Sequence, residues 1–214
     1  MIISISATFI LGFIYGFIIN RFEKIKSVLT LIIIPPMMLS SAIIARIWRV
    51  MFDYNGPINE FLQFFHIDGV KWLANPNISL ISVAIVDIWQ WTPFVFLIFI
   101  GGLYALPKDV YEAANIDGAS PRQILFNITL PLLKPVIFVI LLFRIIDTIR
   151  VFDIIFVLTK GGPGLSTELI SLEIFRYGLK YFSIGQGTAL SILLLIIISI
   201  IITLVTKLKI FKVD

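Results

Sequence analysis

The sequence contains no cysteine and a single histidine, His66. The absence of cysteine excludes disulfide bonds and thiolate metal sites within this sequence, and a lone histidine excludes a histidine cluster. No Gly-x-x-x-x-Gly-Lys-Ser/Thr pattern occurs, so the sequence has no phosphate-binding loop of the common nucleotide-binding type. No nucleophile–base pair is evident either. We therefore expect no metal, no cofactor and no enzyme activity in this chain.

Charged residues are also scarce. They make up 14% of the 214 residues, whereas 59% are hydrophobic and the mean hydropathy is +1.04. Soluble domains are about 45–50% apolar, so this composition predicts an all-α, polytopic membrane helix bundle. The net charge of +4 does not indicate nucleic acid, because the basic residues lie at the ends of apolar runs and form no patch.

Five apolar runs predict about five transmembrane helices in a single domain, residues 1–214. The predicted helices cover about residues 2–20, 27–52, 79–106, 132–158 and 187–206. The first run is uncharged and is followed by basic residues, which indicates a spanning helix and not a cleaved signal peptide. Pro35-Pro36 predicts a bend in the second helix, either in a moving element or as a static, packed kink. A short interfacial helix is expected over 58–65.

Basic residues predict the orientation. If successive connections alternate in side, one set of connections carries nine lysines and arginines and the other carries six. The richer set is expected in the cytoplasm. It contains Arg21, Lys24, Lys26, Lys108, Arg122, Lys134, Lys207, Lys209 and Lys212. This places the connection over residues 107–131 in the cytoplasm and residue 1 outside.

That connection, here called the polar loop, reads as two short helices. Asp109 with Glu112, and Ser120 with Gln123, have the spacing of capping boxes, and Gly118 is suited to end the first helix in a left-handed conformation. Leu130-Pro131 and Pro135 are expected to end the second helix. Helices of two turns do not hold alone in water, so they require a docking surface. From the residues alone, a well-capped loop and a docking element remain equal alternatives.

Polar side chains also interrupt two of the apolar runs. They are Asp87, Gln90 and Trp91 in the third run, and Arg144, Asp147, Arg150 and Asp153 in the fourth. A charge at the centre of a bilayer costs about 2.5–3.5 kcal/mol, so these groups cannot face lipid. The i, i+3 spacing predicts that Arg144 pairs with Asp147 and Arg150 with Asp153. Two roles remain open: a buried ionic seam against Asp87 or a second subunit, and a polar solute path of Asp87, Gln90, Trp91, Arg144 and Asp147.

The polar loop resembles the EAA loop of binding-protein-dependent ABC importer permeases. The matching residues are Glu112-Ala113-Ala114, Asp117-Gly118-Ala119, Ile128, Leu130 and Pro131. In that family the loop forms coupling helices that sit in a groove of the cytoplasmic ATPase. The resemblance therefore implies ATPase coupling through Glu112, Ala113, Ala114, Asp117 and Gly118.

Further motifs resemble the sugar-uptake branch of these permeases, of maltose and glycerol-phosphate type. They are Trp89–Phe94, Arg144–Asp147, Arg150–Asp153 and Leu158–Glu168. The resemblance implies a binding-protein contact at Gly161, Gly162, Pro163 and Gly164. It also implies a homologous partner permease, two cytoplasmic ATPase subunits, an extracytoplasmic solute-binding protein and a location in the cell membrane among lipids.

Two points stay open at this stage. The solute is expected to be a carbohydrate, but glycerol phosphate, or a structural membrane subunit without a solute path, are alternatives. These permeases usually have a further helix before the equivalent of residues 1–20. We expect either that this sequence starts late or that the protein has five spans.

Overall fold

The computed structural model describes residues 2–21 and 26–207. The described residues form helices and contain no strand, as the apolar runs predict. The helices are α1 (Ile2–Arg21), α2 (Lys26–Ile33), α3 (Pro35–Met38), α4 (Ser41–Met51), α5 (Pro57–Phe64), α6 (Pro76–Tyr104), α7 (Lys108–Ile116), α8 (Pro121–Ile124), α9 (Leu130–Leu132), α10 (Lys134–Arg150), α11 (Asp153–Leu158), α12 (Ile170–Phe175) and α13 (Ile184–Lys207). Two π-helical turns, Leu125–Thr129 and Arg176–Lys180, interrupt the α-helical segments.

The helices α1 and α6 form the central pair and run parallel. A Cβ atom built on Gly12 would lie 2.6 Å from the side chain of Val95, and one on Gly16 would collide with the ring of Phe99. The two residue numbers of each pair differ by the same 83 positions, so the helices stay in register over at least one turn. Small residues four apart let two membrane helices approach closely, and this packing brings the two backbones together.

The predicted second helix, 27–52, is wrong as a single element. It is broken twice, into α2, α3 and α4. The first break arises because Pro35 and Pro36 cannot donate the backbone hydrogen bonds that would continue α2. Leu39 is extended, and α4 starts afresh with Ser40 as its N-cap. A helix is present close to the expected 58–65, as α5; its interfacial position stays a prediction.

The polar loop partly follows its prediction. Ser120 and Gln123 form the expected capping box, and Gly118 has φ +71° at the end of α7. The first capping box is wrong: α7 begins at Lys108 after Pro107, so Asp109 lies inside the helix and caps nothing. The second helix does not end at Leu130-Pro131. It widens into the π turn, continues as α9 and bends by 63° into α10.

The predicted helix 132–158 also differs. It begins at Lys134 as α10 and breaks at Val151-Phe152 before α11. The break separates Arg150 from Asp153, and these two described residues form no ion pair, contrary to the expectation.

The core has two apolar clusters along α6, separated by a polar layer. One cluster lies where α4 and α11 pack on the first half of α6; its buried members are Ile44, Ala45, Phe52, Val83, Val86, Ile154, Ile155, Leu158 and Leu172. The other lies toward the polar loop and contains Val95, Phe99, Leu133 and Ile140. Asp87 and Arg144 are in the layer between them.

Candidate functional site

The polar layer is built around Arg144, whose residue surface is 1% exposed. Its Nη2 donates to Oδ2 of Asp87 at 2.6 Å, and its Nη1 donates to Oδ2 of Asp147 at 2.9 Å. The hydroxyl of Ser4 also donates to Asp87, so three helices meet here. We call Ser4, Asp87, Arg144 and Asp147 the ion cluster. It contains the predicted Arg144–Asp147 pair and the seam to Asp87.

The ion cluster has unequal members. Asp87 is enclosed, whereas the side chain of Asp147 is 41% exposed. Asp87 Oδ1 and Arg144 Nε are buried without a hydrogen-bond partner among the described residues. A buried ion pair with unsatisfied atoms gains little net stability, because desolvation opposes the Coulomb attraction. The pair therefore fixes the geometry of α1, α6 and α10 and holds Asp147 at the open face.

Two other residues of the predicted solute path also differ in placement. Trp91 is half-buried, and its ring centre lies 5.7 Å from Cζ of Arg144, within cation–π range. Gln90 is buried and donates to Oγ of Ser41 at 3.1 Å, at the start of α4. The structure therefore places Trp91 and Asp147 at an accessible surface, and Asp87 and Gln90 in the packed interior.

The predicted coupling residues lie on α7 and at its end. Glu112, Ala113, Asp117 and Gly118 are exposed, whereas Ala114 is 8% exposed and faces inward. Sequence reasoning missed two neighbours: Ile116, which is 86% exposed, and Phe126, which is also exposed. The sequence gives a signal for Ile116, an apolar side chain between Asn115 and Asp117, but not for Phe126, which follows two apolar residues.

The predicted binding-protein contact lies in a second loop, residues 159–168, which we call the glycine loop. Gly161 (φ +93°) is buried and Gly164 (φ +61°) is exposed. A Cβ on Gly161 would collide with the carboxylate of Glu168, so only glycine fits there. Thr167 donates to the carbonyl of Gly162 at 2.9 Å.

A network of ion pairs and a hydrogen bond around Arg176 supports the glycine loop. Arg176 Nη1 lies 3.0 Å from Glu168 Oε2 and 2.8 Å from Glu173 Oε1, and its Nη2 donates to the carbonyl of Lys160 at 2.9 Å. Burial raises the pKa of the Glu168 carboxyl above its ordinary value, although Arg176 acts in the opposite direction. Beside the loop is an open cleft of about 600 Å³, which Gly162 and Pro163 help to line.

Comparison with known proteins identifies the class. Residues 8–210 match the family model described as "Binding-protein-dependent transport system inner membrane component". The chain belongs to this family. It is therefore a membrane protein of the binding-protein-dependent transport systems, and the resemblance read from the EAA-type loop is confirmed.

Several relatives of this family carry sugar-related names. The chain is 43% identical to the trehalose/maltose transport system permease protein MalF of Thermococcus litoralis, over 92% of this chain and 66% of the relative. It is 36% identical to the sulfoquinovosyl glycerol transport system permease protein SmoG of Agrobacterium fabrum, over 69% of this chain and 47% of the relative. The chain thus spans just under two thirds of the first of these relatives and about half of the second.

A solved structure has the same fold. The crystal structure of a bacterial ABC transporter involved in the import of the acidic polysaccharide alginate superposes with a TM-score of 0.84 at 23% identity, covering 95% of this chain and 75% of that one. A second crystal structure, of a bacterial alginate ABC transporter in complex with an alginate pentasaccharide-bound periplasmic protein, gives a TM-score of 0.83 at 23% identity.

The helices of this family member suit a bilayer. Within residues 2–21 and 26–207, three helical segments are long and apolar enough to cross: Ile2–Ile19, Pro76–Tyr104 and Ile184–Lys207. The bent pair Pro121–Leu132 and Lys134–Leu158 would make a fourth crossing if it is one span.

Proposed function

We propose that this chain is one permease subunit of an ATP-driven ABC importer that takes up a carbohydrate delivered by an extracytoplasmic solute-binding protein. The proposal rests on the combination of two features in one family member. An exposed EAA-type helix lies at one end of the bundle, and a half-exposed carboxylate and indole lie at its centre. The names of the relatives support a sugar as the solute.

The partner of α7 would be a cytoplasmic ATPase subunit. The exposed residues Glu112, Ala113, Asp117 and Gly118 would form the contact surface of α7. Glu112 and Asp117 supply polar groups, and Ile116 adds an apolar contact. Ala114 would act from within, because its small side chain lets α7 lie close to the bundle. Two ATPase copies and a homologous permease would complete the transporter. Closure of the two ATPases would rock the helices between inward and outward access.

The solute would meet Asp147 and Trp91. A carboxylate accepts hydrogen bonds from sugar hydroxyls, and an indole face packs against the apolar face of a sugar ring. Asp87, Gln90 and Arg144 would orient these two groups from inside the subunit. An accessible carboxylate disfavours an anionic solute, so a neutral carbohydrate fits this face better than glycerol phosphate.

The glycine loop would contact the binding protein. Gly161, Gly162, Pro163 and Gly164 turn the chain sharply at the end of the bundle opposite α7, and the network of Arg176 holds that turn in place. The basic-residue count supports the same sidedness, with α7 inside and the glycine loop outside.

The experiment is purification of the complex from its native membrane through a tag on this chain. Glu112→Lys reverses a charge on the proposed ATPase contact, and Gly118→Val forces a β-branched residue into a left-handed conformation. Both variants are expected to insert in the membrane but to lose at least tenfold in co-purified ATPase and in solute uptake by cells. Glu60→Lys, an exposed charge reversal on α5, is the matched control.

Co-purification of the ATPase with both variants at the level of the unsubstituted chain would contradict the proposal. A structural subunit without a solute path is the second candidate, favoured by the burial of Asp87 against Arg144. It predicts that uptake survives simultaneous replacement of Asp87, Gln90, Arg144 and Asp147 by leucine, whereas a solute path predicts its loss.

A further inference from the structure

A hydrogen bond joins α7 to the helix that leads into the membrane. The hydroxyl oxygens of Tyr111 and Thr129 are 2.9 Å apart. Tyr111 is half-buried on the inner side of α7, and Thr129 is buried at the last position of the π turn. The two residues belong to segments that Gly118 and the Ser120 cap separate along the chain.

The direction of this bond follows from the partners of Thr129. Its Oγ1 lies 3.2 Å from the carbonyl oxygen of Ile124, which can only accept. A threonine hydroxyl carries one hydrogen, so when Thr129 donates to Ile124 its oxygen is left as an acceptor. Tyr111 is therefore the donor to Thr129. The order tyrosine, threonine, carbonyl links α7 to Thr129 of the π turn and to the last carbonyl of α8.

The π turn lies just before the bend of the helix. The N–H of Leu130 donates to the carbonyl of Leu125, five residues back, and Pro131 has no N–H to donate. Past α9 the chain bends by 63° into α10, which carries Arg144 and Asp147. A displacement applied at Thr129 is thus applied close to the bend of the helix that holds the ion cluster.

Two side chains of α7 face the bundle: Ala114 is buried, and Tyr111 makes the hydrogen bond to Thr129. An open cavity of about 580 Å³ lies beneath α7, lined by Tyr111 and Thr129 and by Phe17, Leu103 and Leu106 from the ends of the long helices. The hydroxyl pair is a directional connection across this gap.

We propose that Tyr111 is a positioning residue whose hydrogen bond to Thr129 transmits the movement of α7 to the bent helix carrying Arg144 and Asp147. This inference rests on the proposed function, in which an ATPase grips α7. It adds the residue pair through which the movement of α7 would be transmitted to the centre of the bundle.

The test uses the lack of cysteine in the sequence. Spin labels on Ile10→Cys in α1 and Val139→Cys in α10, both exposed positions, report the distance between the two helices in the purified complex. With Tyr111 and Thr129 intact, we expect this distance to shift between the nucleotide-free state and the state trapped with ATP and vanadate. Tyr111→Phe and Thr129→Val are each expected to lose most of the shift while the ATPase still co-purifies.

The remaining variants separate transmission from folding. Thr129→Ser keeps the hydroxyl and is expected to keep the shift, as is the control Tyr54→Phe, whose exposed hydroxyl makes no hydrogen bond within residues 2–21 and 26–207. The double variant Tyr111→Phe/Thr129→Val is expected to lose no more than either single one. A full shift in Tyr111→Phe, or losses that add in the double variant, would overturn the inference.

Failure of the proposed function would have a different outcome. If no ATPase co-purifies with the otherwise unsubstituted chain, the proposed function fails and the inference falls with it. If the ATPase co-purifies but nucleotide produces no shift even with Tyr111 intact, the inference alone is overturned.

Discussion

The charge of Arg144 is costly to bury, and it is paired with two carboxylates. Its guanidinium is buried between a fully enclosed carboxylate, Asp87, and a half-exposed one, Asp147. The charge cannot be left alone in this layer, because an unpaired buried ion keeps its desolvation cost and gains nothing in return. Arg144 and its carboxylate partners therefore stabilise one another, and in the proposed function the accessible Asp147 is the member that meets the solute.

This coupling predicts the outcome of removing the charges. Asp87→Leu or Arg144→Leu alone is expected to destabilise the protein by about 3–5 kcal/mol, because Arg144→Leu leaves Asp87 without a charged partner and Asp87→Leu leaves Arg144 with only the half-exposed Asp147. The double variant Asp87→Leu/Arg144→Leu is expected to be more stable than either single variant. Thermal unfolding of the detergent-solubilised chain, followed by tryptophan fluorescence, measures the three stabilities.

The control for this cycle is Asp147→Leu, which removes the exposed partner and leaves the Asp87–Arg144 pair intact. It is expected to cost much less in stability than Asp87→Leu while it still impairs uptake. Strictly additive losses in the double variant would show that Asp87 and Arg144 do not stabilise each other.

At the scale of helices, the sequence patterns predicted which helices exist better than where those helices are interrupted. The long apolar runs gave α1, α6 and α13 within a few residues, and the Ser120 cap was readable because its partners are three residues apart. Pro35-Pro36 predicted a bend at the break before α3, but the second break at Leu39 and the break after Arg150 were not readable. No local pattern contains the contacts made there by other elements, such as the hydrogen bond from Gln90 to Ser41.

The same reasoning explains what was predictable of the site. The pairing of Arg144 with Asp147 is local, so spacing alone predicted it. The contribution of Ser4 was missed, because it requires α1 to lie parallel to α6 at one register, and a lone serine in an apolar run gives no signal. Tyr111 and Thr129 were missed for a similar reason, since the π turn that brings them together is not evident in the sequence.

The α1–α6 contact predicts a clear difference between two glycines. A side chain on Gly16 would meet Phe99, whereas a Cβ on Gly101 would meet nothing within 4 Å. Gly16→Val is expected to force the helices apart and to cost about 1–3 kcal/mol, and Gly101→Val is expected to be nearly neutral. Thermal unfolding of the two variants checks this, and equal stabilities would show that the close approach of α1 and α6 is not limiting.

At the scale of the whole molecule, burial is uneven. No residue in the apolar window of α13 is buried among the described residues, and α7 carries an exposed isoleucine, Ile116. In the proposed transporter these surfaces meet different neighbours: lipid and a second permease for α13, and an ATPase for α7. Of these neighbours, only the ATPase would lie in water on the cytoplasmic side.

Sidedness can therefore be tested on the cysteine-free sequence with two exposed positions. Leu165→Cys in the glycine loop is expected to react with a membrane-impermeant maleimide in intact cells, and Ile116→Cys in α7 only after the membrane is opened. In inside-out vesicles, Ile116→Cys should react slowly until the ATPase is stripped off, because the proposed contact covers it. Leu165→Cys provides the control for vesicle integrity. Rapid labelling of Ile116→Cys in intact cells would reverse the orientation and remove the physical basis for an ATPase contact at α7.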